Sequence, residues 1–121
     1  MKTIQQTKGL VGEDYATEYL LEQGYRIRDR NWRCGHLEVD IIAEDENYII
    51  FVEVKTRKNV YAGAPEDFVN KQKQRNIIRA ARYYMRYKNL QKEVRFDIIS
   101  VVFGMTGNSL KHIQDAYKPT W

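Results

Sequence analysis

Residues 37–57 read LEVDIIAEDENYIIFVEVKTR, two runs rich in Ile and Val joined by the polar turn Glu44–Asn47, the pattern of two strands folded back on each other. The strands are expected over residues 36–43 and 48–56. Four charged groups, Glu38, Asp40, Glu53 and Lys55, stand inside this most apolar part of the chain. Strand alternation puts His36, Glu38 and Asp40 on one face and Leu37, Val39 and Ile41 on the other, and sets Glu53 and Lys55 with Ile49 and Phe51. In the register that pairs residues whose numbers sum to 93, Asp40 faces Glu53 and Glu38 faces Lys55, with Cβ atoms about 4.5–5.5 Å apart.

Two carboxylates that close repel each other, and an apolar sheet raises the cost of charging both. A divalent cation relieves it. Oxygen ligands with room left for water suit magnesium or manganese better than zinc, which recruits His or Cys. Asp40 and Glu53 are therefore candidate metal ligands, with the Val54 carbonyl as a further one, and Lys55 is placed to orient or deprotonate a water. The alternative is a solvated, salt-bridged hairpin face, which accounts for Glu38 with Lys55 but not for Asp40 with Glu53.

Outward from the hairpin, residues 7–23 recur helically at Leu10, Ala16, Tyr19 and Leu20, and Gly24 is the expected left-handed stop. YRIRDRNWR (25–33) alternates Tyr25, Ile27 and Asp29 with Arg26, Arg28 and Arg30, as an edge strand does. After a loop marked by Gly63 and Pro65, a helix with Pro65, Glu66 and Asp67 in its first turn runs to about Lys88. Its buried stripe is Phe68, Ile77, Ile78, Ala81, Tyr84 and Met85. A strand at 94–103, a turn at GMTGN, a shorter strand LKHIQDAY and a tail KPTW complete the chain. The order α-β-β-β-α-β-β predicts an α/β fold with a mixed central sheet flanked by helices.

With 121 residues, 43% of them hydrophobic, the chain suits one domain over residues 1–121, with a core at about 7–117. Cys34 is the only cysteine, which excludes an internal disulfide framework or a thiolate zinc cluster and fits a reducing, cytoplasmic setting. No signal peptide or apolar membrane span is expected, hence no membrane partner. Twenty Lys and Arg against 16 Asp and Glu give a net charge of only +4. Their distribution is more telling. Lys71, Lys73, Arg75, Arg79, Arg82, Arg86 and Lys88 occupy the long helix without an acidic residue among them, and Arg26, Arg28, Arg30, Arg33, Arg57 and Lys58 lie elsewhere. Such a face fits a nucleic-acid backbone, with Tyr87 or Trp32 available for stacking and Tyr84 expected to be buried. Asp97 invites a catalytic reading, but is expected rather to have a structural role, pinning an arginine such as Arg95 or capping a neighbouring loop.

The spacing of Asp40 and Glu53-x-Lys55 resembles the D…(D/E)-x-K signature of the restriction-endonuclease-like nucleases. GEDYATEYLLEQGYRIRDRNWR, LEVDIIAED, FVEVKTR, KQ at Lys73–Gln74 and RFDII at Arg95–Ile99 are similar, in the same order, to the UPF0102 family, regarded as endonucleases akin to archaeal Holliday-junction resolvases. The resemblance implies a restriction-endonuclease-like fold and Mg2+- or Mn2+-dependent endonuclease activity on DNA, including branched or repair and recombination intermediates. Related resolvases act as dimers, so a homodimer is a further expectation. It also implies that Glu13 adds an outer carboxylate, that Glu38 lies beside the site, and that Gln74 approaches it. The chain departs from the family form in reading His36-Leu37-Glu38 before the acid, which puts His36 near the site, and in carrying Ile78 where related nucleases have an aromatic. A non-catalytic nucleic-acid-binding module on the same fold, or a protein-interaction domain, are the competing readings; only the enzyme requires Asp40, Glu53 and Lys55 together.

Overall fold

The computed structural model describes residues 4–57 and 70–119, with side chains from residue 11 onward. The expected loop at Gly63 and Pro65, the helix start at Pro65–Asp67, Lys58, Phe68, the side chain of Leu10 and the tail residues Thr120 and Trp121 lie outside these. Helix α1 (Ile4–Glu22) precedes strands β1 (Arg26–Cys34), β2 (Leu37–Glu44) and β3 (Tyr48–Arg57), then α2 (Lys71–Tyr87), β4 (Glu93–Gly104) and β5 (Gly107–Tyr117). The strands form one mixed sheet in the order β1-β2-β3-β4-β5, parallel between β3 and β4 and antiparallel elsewhere. This is the α/β order expected, with β1 on an edge. A parallel pair needs a long crossover, and α2 lies within it.

Both helices end in the same way. Gly24 (φ 96°) and Asn89 (φ 53°) take the left-handed position, and Tyr25 N–H to Leu20 O and Leu90 N–H to Met85 O close the final turns. At its other end α2 is capped by Asn70, whose Oδ1 accepts from Lys73 N–H at 2.8 Å, so the described helix begins at Lys71. The polar turn after β2 is built as expected, Asp45 Oδ1 accepting from the N–H groups of Asn47 and Tyr48.

The sheet is covered on two sides. Ile77, Ile78, Ala80, Ala81 and Tyr84 of α2 pack with Leu37, Val39, Ile42, Ile49, Phe51 and Phe96. On the opposite face Ala16 and Leu20 of α1 pack with Ile41, Ala43, Ile50, Val52, Ile99 and Val101. The expected alternation holds along β3 but fails along β2, where Leu37 and Val39 share a face with Ile42 while Ile41 takes the other. The reason lies in the neighbouring strand. Between the pairs Arg30↔Ile41 and Trp32↔Val39 stands Asn31 with φ 51°, a left-handed residue that breaks the pleat. A second irregularity at Arg28 breaks the expected alternation of β1, and the side chains of Arg28 and Asp29 both reach the Tyr84 hydroxyl under α2.

Asp97 has the structural role expected. Fully buried, it accepts from Arg95 Nε and Nη2 at 2.9 and 2.8 Å and from Asp115 N–H, and meets His112 Nε2 at 2.7 Å. Tyr25 and Tyr19 complete the cluster through Arg95 and His112.

Candidate active site

The β2–β3 ladder is short. It pairs Ile41↔Val52, Ile42↔Phe51, Ala43↔Ile50 and Glu44↔Ile49, in the expected register, and then stops, although both strands continue. Leu37, Glu38 and Val39 remain paired to β1, and Glu53 to Arg57 remain paired to β4. The sheet therefore forks, and Asp40 and Glu53 are the first residues past the crotch.

Val54 N–H, released from the ladder, donates to Asp40 Oδ2 at 2.8 Å. Within a strand a residue's N–H and C=O point to the same side, so the Val54 carbonyl also faces the gap. Glu53 is buried; its Oε1 lies 3.4 Å from Lys55 Nζ and 3.6 Å from Lys73 Nζ, while its Oε2 is buried with no hydrogen-bond partner. Burial, then the nearby Glu53 charge, pushes the Asp40 carboxyl up to about 7, against the opposing pull of the Val54 N–H.

Glu13 reaches the same place from α1, because Gly12 lets that helix lie on β3: a Cβ on Gly12 would stand 2.1 Å from Thr56 Oγ1. Glu13 is also raised to about 7, first by burial and then by the charge on Asp40, with Arg30 and a hydrogen bond from Asn31 opposing. Its Oε1 is buried without a hydrogen-bond partner. Among the described residues, the carboxylates of Asp40, Glu53 and Glu13 and the ammonium groups of Lys55 and Lys73 thus gather at the fork, with Arg30 Nη2 4.0 Å from Glu13 Oε1. Among the described residues no group of three His, Cys, Asp or Glu side chains is already gathered as a ligand set, so an ion here would rest on two carboxylates, the Val54 carbonyl and water. That is the oxygen-rich, partly hydrated shell that magnesium takes.

One expected opposition needs correcting. Glu38 does not face Lys55, because the β2–β3 ladder ends before it; it is paired with Arg33 of β1, 3.5 Å away, and its charge acts on Glu13. His36 is exposed in the β1–β2 turn, four residues or about 13 Å of strand from Asp40. On α2, Lys71, Arg75 and Arg79 are exposed and Gln74 is half-buried in the first turn, while Arg57 is half-buried at the end of β3. Trp32 packs edge-on against the buried Tyr84 with ring centroids 5.2 Å apart.

Lys73 is expected as a nucleic-acid contact on the basic helix and in the KQ pair with Gln74, and only the approach of α2 to the fork brings it to Glu53. One participant escapes a reading of the chain. Asn31 carries no signal beyond being an Asn, a residue that tolerates φ > 0.

The family model described as "Uncharacterised protein family UPF0102" matches residues 12–101. The chain is 47% identical over 114 residues to a UPF0102 protein of Phocaeicola vulgatus, covering 93% of this chain and 94% of that one. It is 47% identical over 112 residues to one of Bacteroides thetaiotaomicron, covering 92% of each. With a UPF0102 protein of Persephonella marina the identity is 44% over 111 residues, covering 91% of this chain and 92% of that one.

Proposed function

The chain belongs to the uncharacterised protein family UPF0102, and from the geometry of its sheet fork we propose that it is a metal-dependent nuclease that hydrolyses phosphodiester bonds in DNA, branched and recombination intermediates included. The observation that carries this reading is Asp40 and Glu53 meeting where β2 and β3 part, one raised to about 7 by burial and the other's charge, the other with a buried, unpartnered oxygen. An ordinary hairpin has no use for such a pair.

Asp40, Glu53 and the Val54 carbonyl would hold Mg2+ or Mn2+. When bound, such an ion polarises a phosphoryl oxygen and lowers the pKa of water. The chain's own groups do the rest. Lys55, 3.4 Å from Glu53, orients the attacking water and meets charge developing on the phosphoryl oxygens. Lys73 approaches the same carboxylate from α2 and holds the substrate phosphate against it. Glu13, near 7, is tuned to take a proton from water at its Oε1, which has no hydrogen-bond partner and lies 4.0 Å from Arg30 Nη2. Water adds to phosphorus as its proton passes to Glu13, the bond to the leaving oxygen breaks, and that oxygen takes a proton from solvent water. The exposed basic face of α2 supplies affinity for the backbone rather than for base sequence.

Labelled linear, flapped, branched and RNA substrates incubated with magnesium or manganese test the proposal. Wild type is expected to cleave at least one DNA substrate, and Glu53→Gln to lose about 100-fold or more of that activity while keeping its circular-dichroism spectrum and salt-dependent binding. Equal activity in wild type and Glu53→Gln refutes it; binding without cleavage in any substrate leaves a nucleic-acid-binding module.

A further inference from the structure

Beyond the carboxylate fork, α2 carries a second feature that phosphate binding alone does not explain. At about 100° per residue, Arg75, Arg79, Arg82 and Arg86 fall within an arc of about 60° on the outer face of the helix. Beside this ridge, on the flank that also carries Lys73, stand Tyr83 and Tyr87. Both rings are solvent-exposed, Tyr83 by 46% and Tyr87 by 79%. Arg79, Arg82, Tyr83 and Arg86 line one cavity of about 160 Å³, and Lys88 Nζ lies 5.6 Å from the centre of the Tyr87 ring. On the other side of the arginine ridge, Arg82 and Arg86 also border a groove of about 860 Å³ lined in part by Met85, Leu90 and Val94.

We propose that this flank of α2 is a track for an unpaired arm of the nucleic-acid substrate, with backbone phosphates on the arginine ridge and bases stacked on Tyr83 and Tyr87. The proposal rests on the nuclease reading for its orientation. Lys73 marks the reacting end, and at 1.5 Å per residue Tyr83 lies about 15 Å and Tyr87 about 21 Å along the helix from it. An arm of about four nucleotides or more is needed to reach the second ring. The distinction from a duplex track follows from what is available to stack. Paired bases inside a duplex have both faces covered by their neighbours, so exposed rings spaced along a helix flank gain nothing from them, whereas every unpaired base offers a free face. Arginines would serve either substrate; the tyrosines serve only the unpaired one. The favoured substrates are therefore flapped, gapped or tailed structures rather than continuous duplex.

The test is fluorescence anisotropy in EDTA, so that binding is read without cleavage, using a blunt duplex and the same duplex with a six-nucleotide 5′ or 3′ tail. Wild type is expected to bind one of the tailed duplexes about tenfold more tightly than the blunt one. Tyr83→Ala/Tyr87→Ala should lose that preference while leaving blunt-duplex affinity and the slope of affinity against salt unchanged, and Tyr83→Phe/Tyr87→Phe should keep it. Arg79→Gln/Arg82→Gln/Arg86→Gln should weaken every substrate and flatten the salt slope by about 2. Equal affinity of wild type for blunt and both tailed duplexes, or an undiminished tail preference in the double alanine variant, overturns the track and leaves the cleavage chemistry untouched. Tail preference in a wild type that cleaves nothing overturns the nuclease reading instead.

Discussion

Asp40 stands at three junctions at once: the kink opposite Asn31, the first position beyond the β2–β3 ladder and the meeting point of the site's acids. Its carboxyl and that of Glu13 are held near 7, above the usual value of about 4. Between those pH values the folded protein binds more protons than the unfolded chain. Stability therefore falls as pH rises from about 4 to about 7, and the cost is present in full above that window. A bound divalent ion removes it. In thermal unfolding, magnesium or manganese is expected to raise Tm little at pH 5 and by several degrees at pH 8. Asp40→Asn, which keeps an oxygen for Val54 N–H without the charge, should abolish that ion-dependent shift and raise the Tm of the ion-free protein at pH 8 by about 3 °C or more. A wild-type Tm at pH 8 indifferent to both ions would contradict the assignment of these carboxylates as ligands.

At the scale of elements, the site depends on how closely α1 approaches β3. Gly12 is what permits it, since a methyl group there would collide with Thr56 Oγ1, and a β-branched side chain on a strand has little freedom to yield. Gly12→Ala is expected to lower stability by about 1–3 kcal/mol and to reduce cleavage by withdrawing Glu13 from the fork. Combining it with Thr56→Ala should recover most of both losses, a coupling that a double-mutant cycle reads directly. Strict additivity of the two substitutions would mean that helix packing at this point does not position Glu13. Helix α2 contributes differently: its cap at Asn70 sets its first turn, and that turn places Lys73.

Across the whole molecule, the fork is one end of a sheet whose other features hold it in shape. The Asp97 cluster ties α1, the start of β1, β4 and β5 together through Tyr19, Tyr25, Arg95 and His112. Hydrogen bonds from His112 and Arg95 hold the Asp97 carboxyl below the usual carboxylate range in spite of its burial, so its stabilisation is present above about pH 4 and is lost as pH falls through its folded value. Asp97→Ala leaves Arg95 largely buried without its partner, and the expected loss is about 3–5 kcal/mol in urea unfolding at pH 7, shrinking as the pH is lowered below 4. Because this cluster holds none of the fork residues, the folded fraction of Asp97→Ala should cleave at a rate close to wild type. A variant that is as stable as wild type at pH 7 would remove this cluster from the account.

Local patterns in the chain were enough for the order of elements, the stop at Gly24, the polar turn at Glu44–Asn47 and the register of the central hairpin, because alternation, turn chemistry and capping act over a few neighbouring residues. Tertiary structure alone decided where the hairpin stops being a hairpin. Once β2 follows β1 and β3 follows β4, Glu38 finds Arg33 instead of Lys55, His36 is left in a turn, Leu37 and Val39 change face, and Lys73 arrives at Glu53 from a different element. Each of these depends on competition between a strand's two neighbours, or on where a distant helix comes to rest. No periodicity within a single segment records the outcome of that competition.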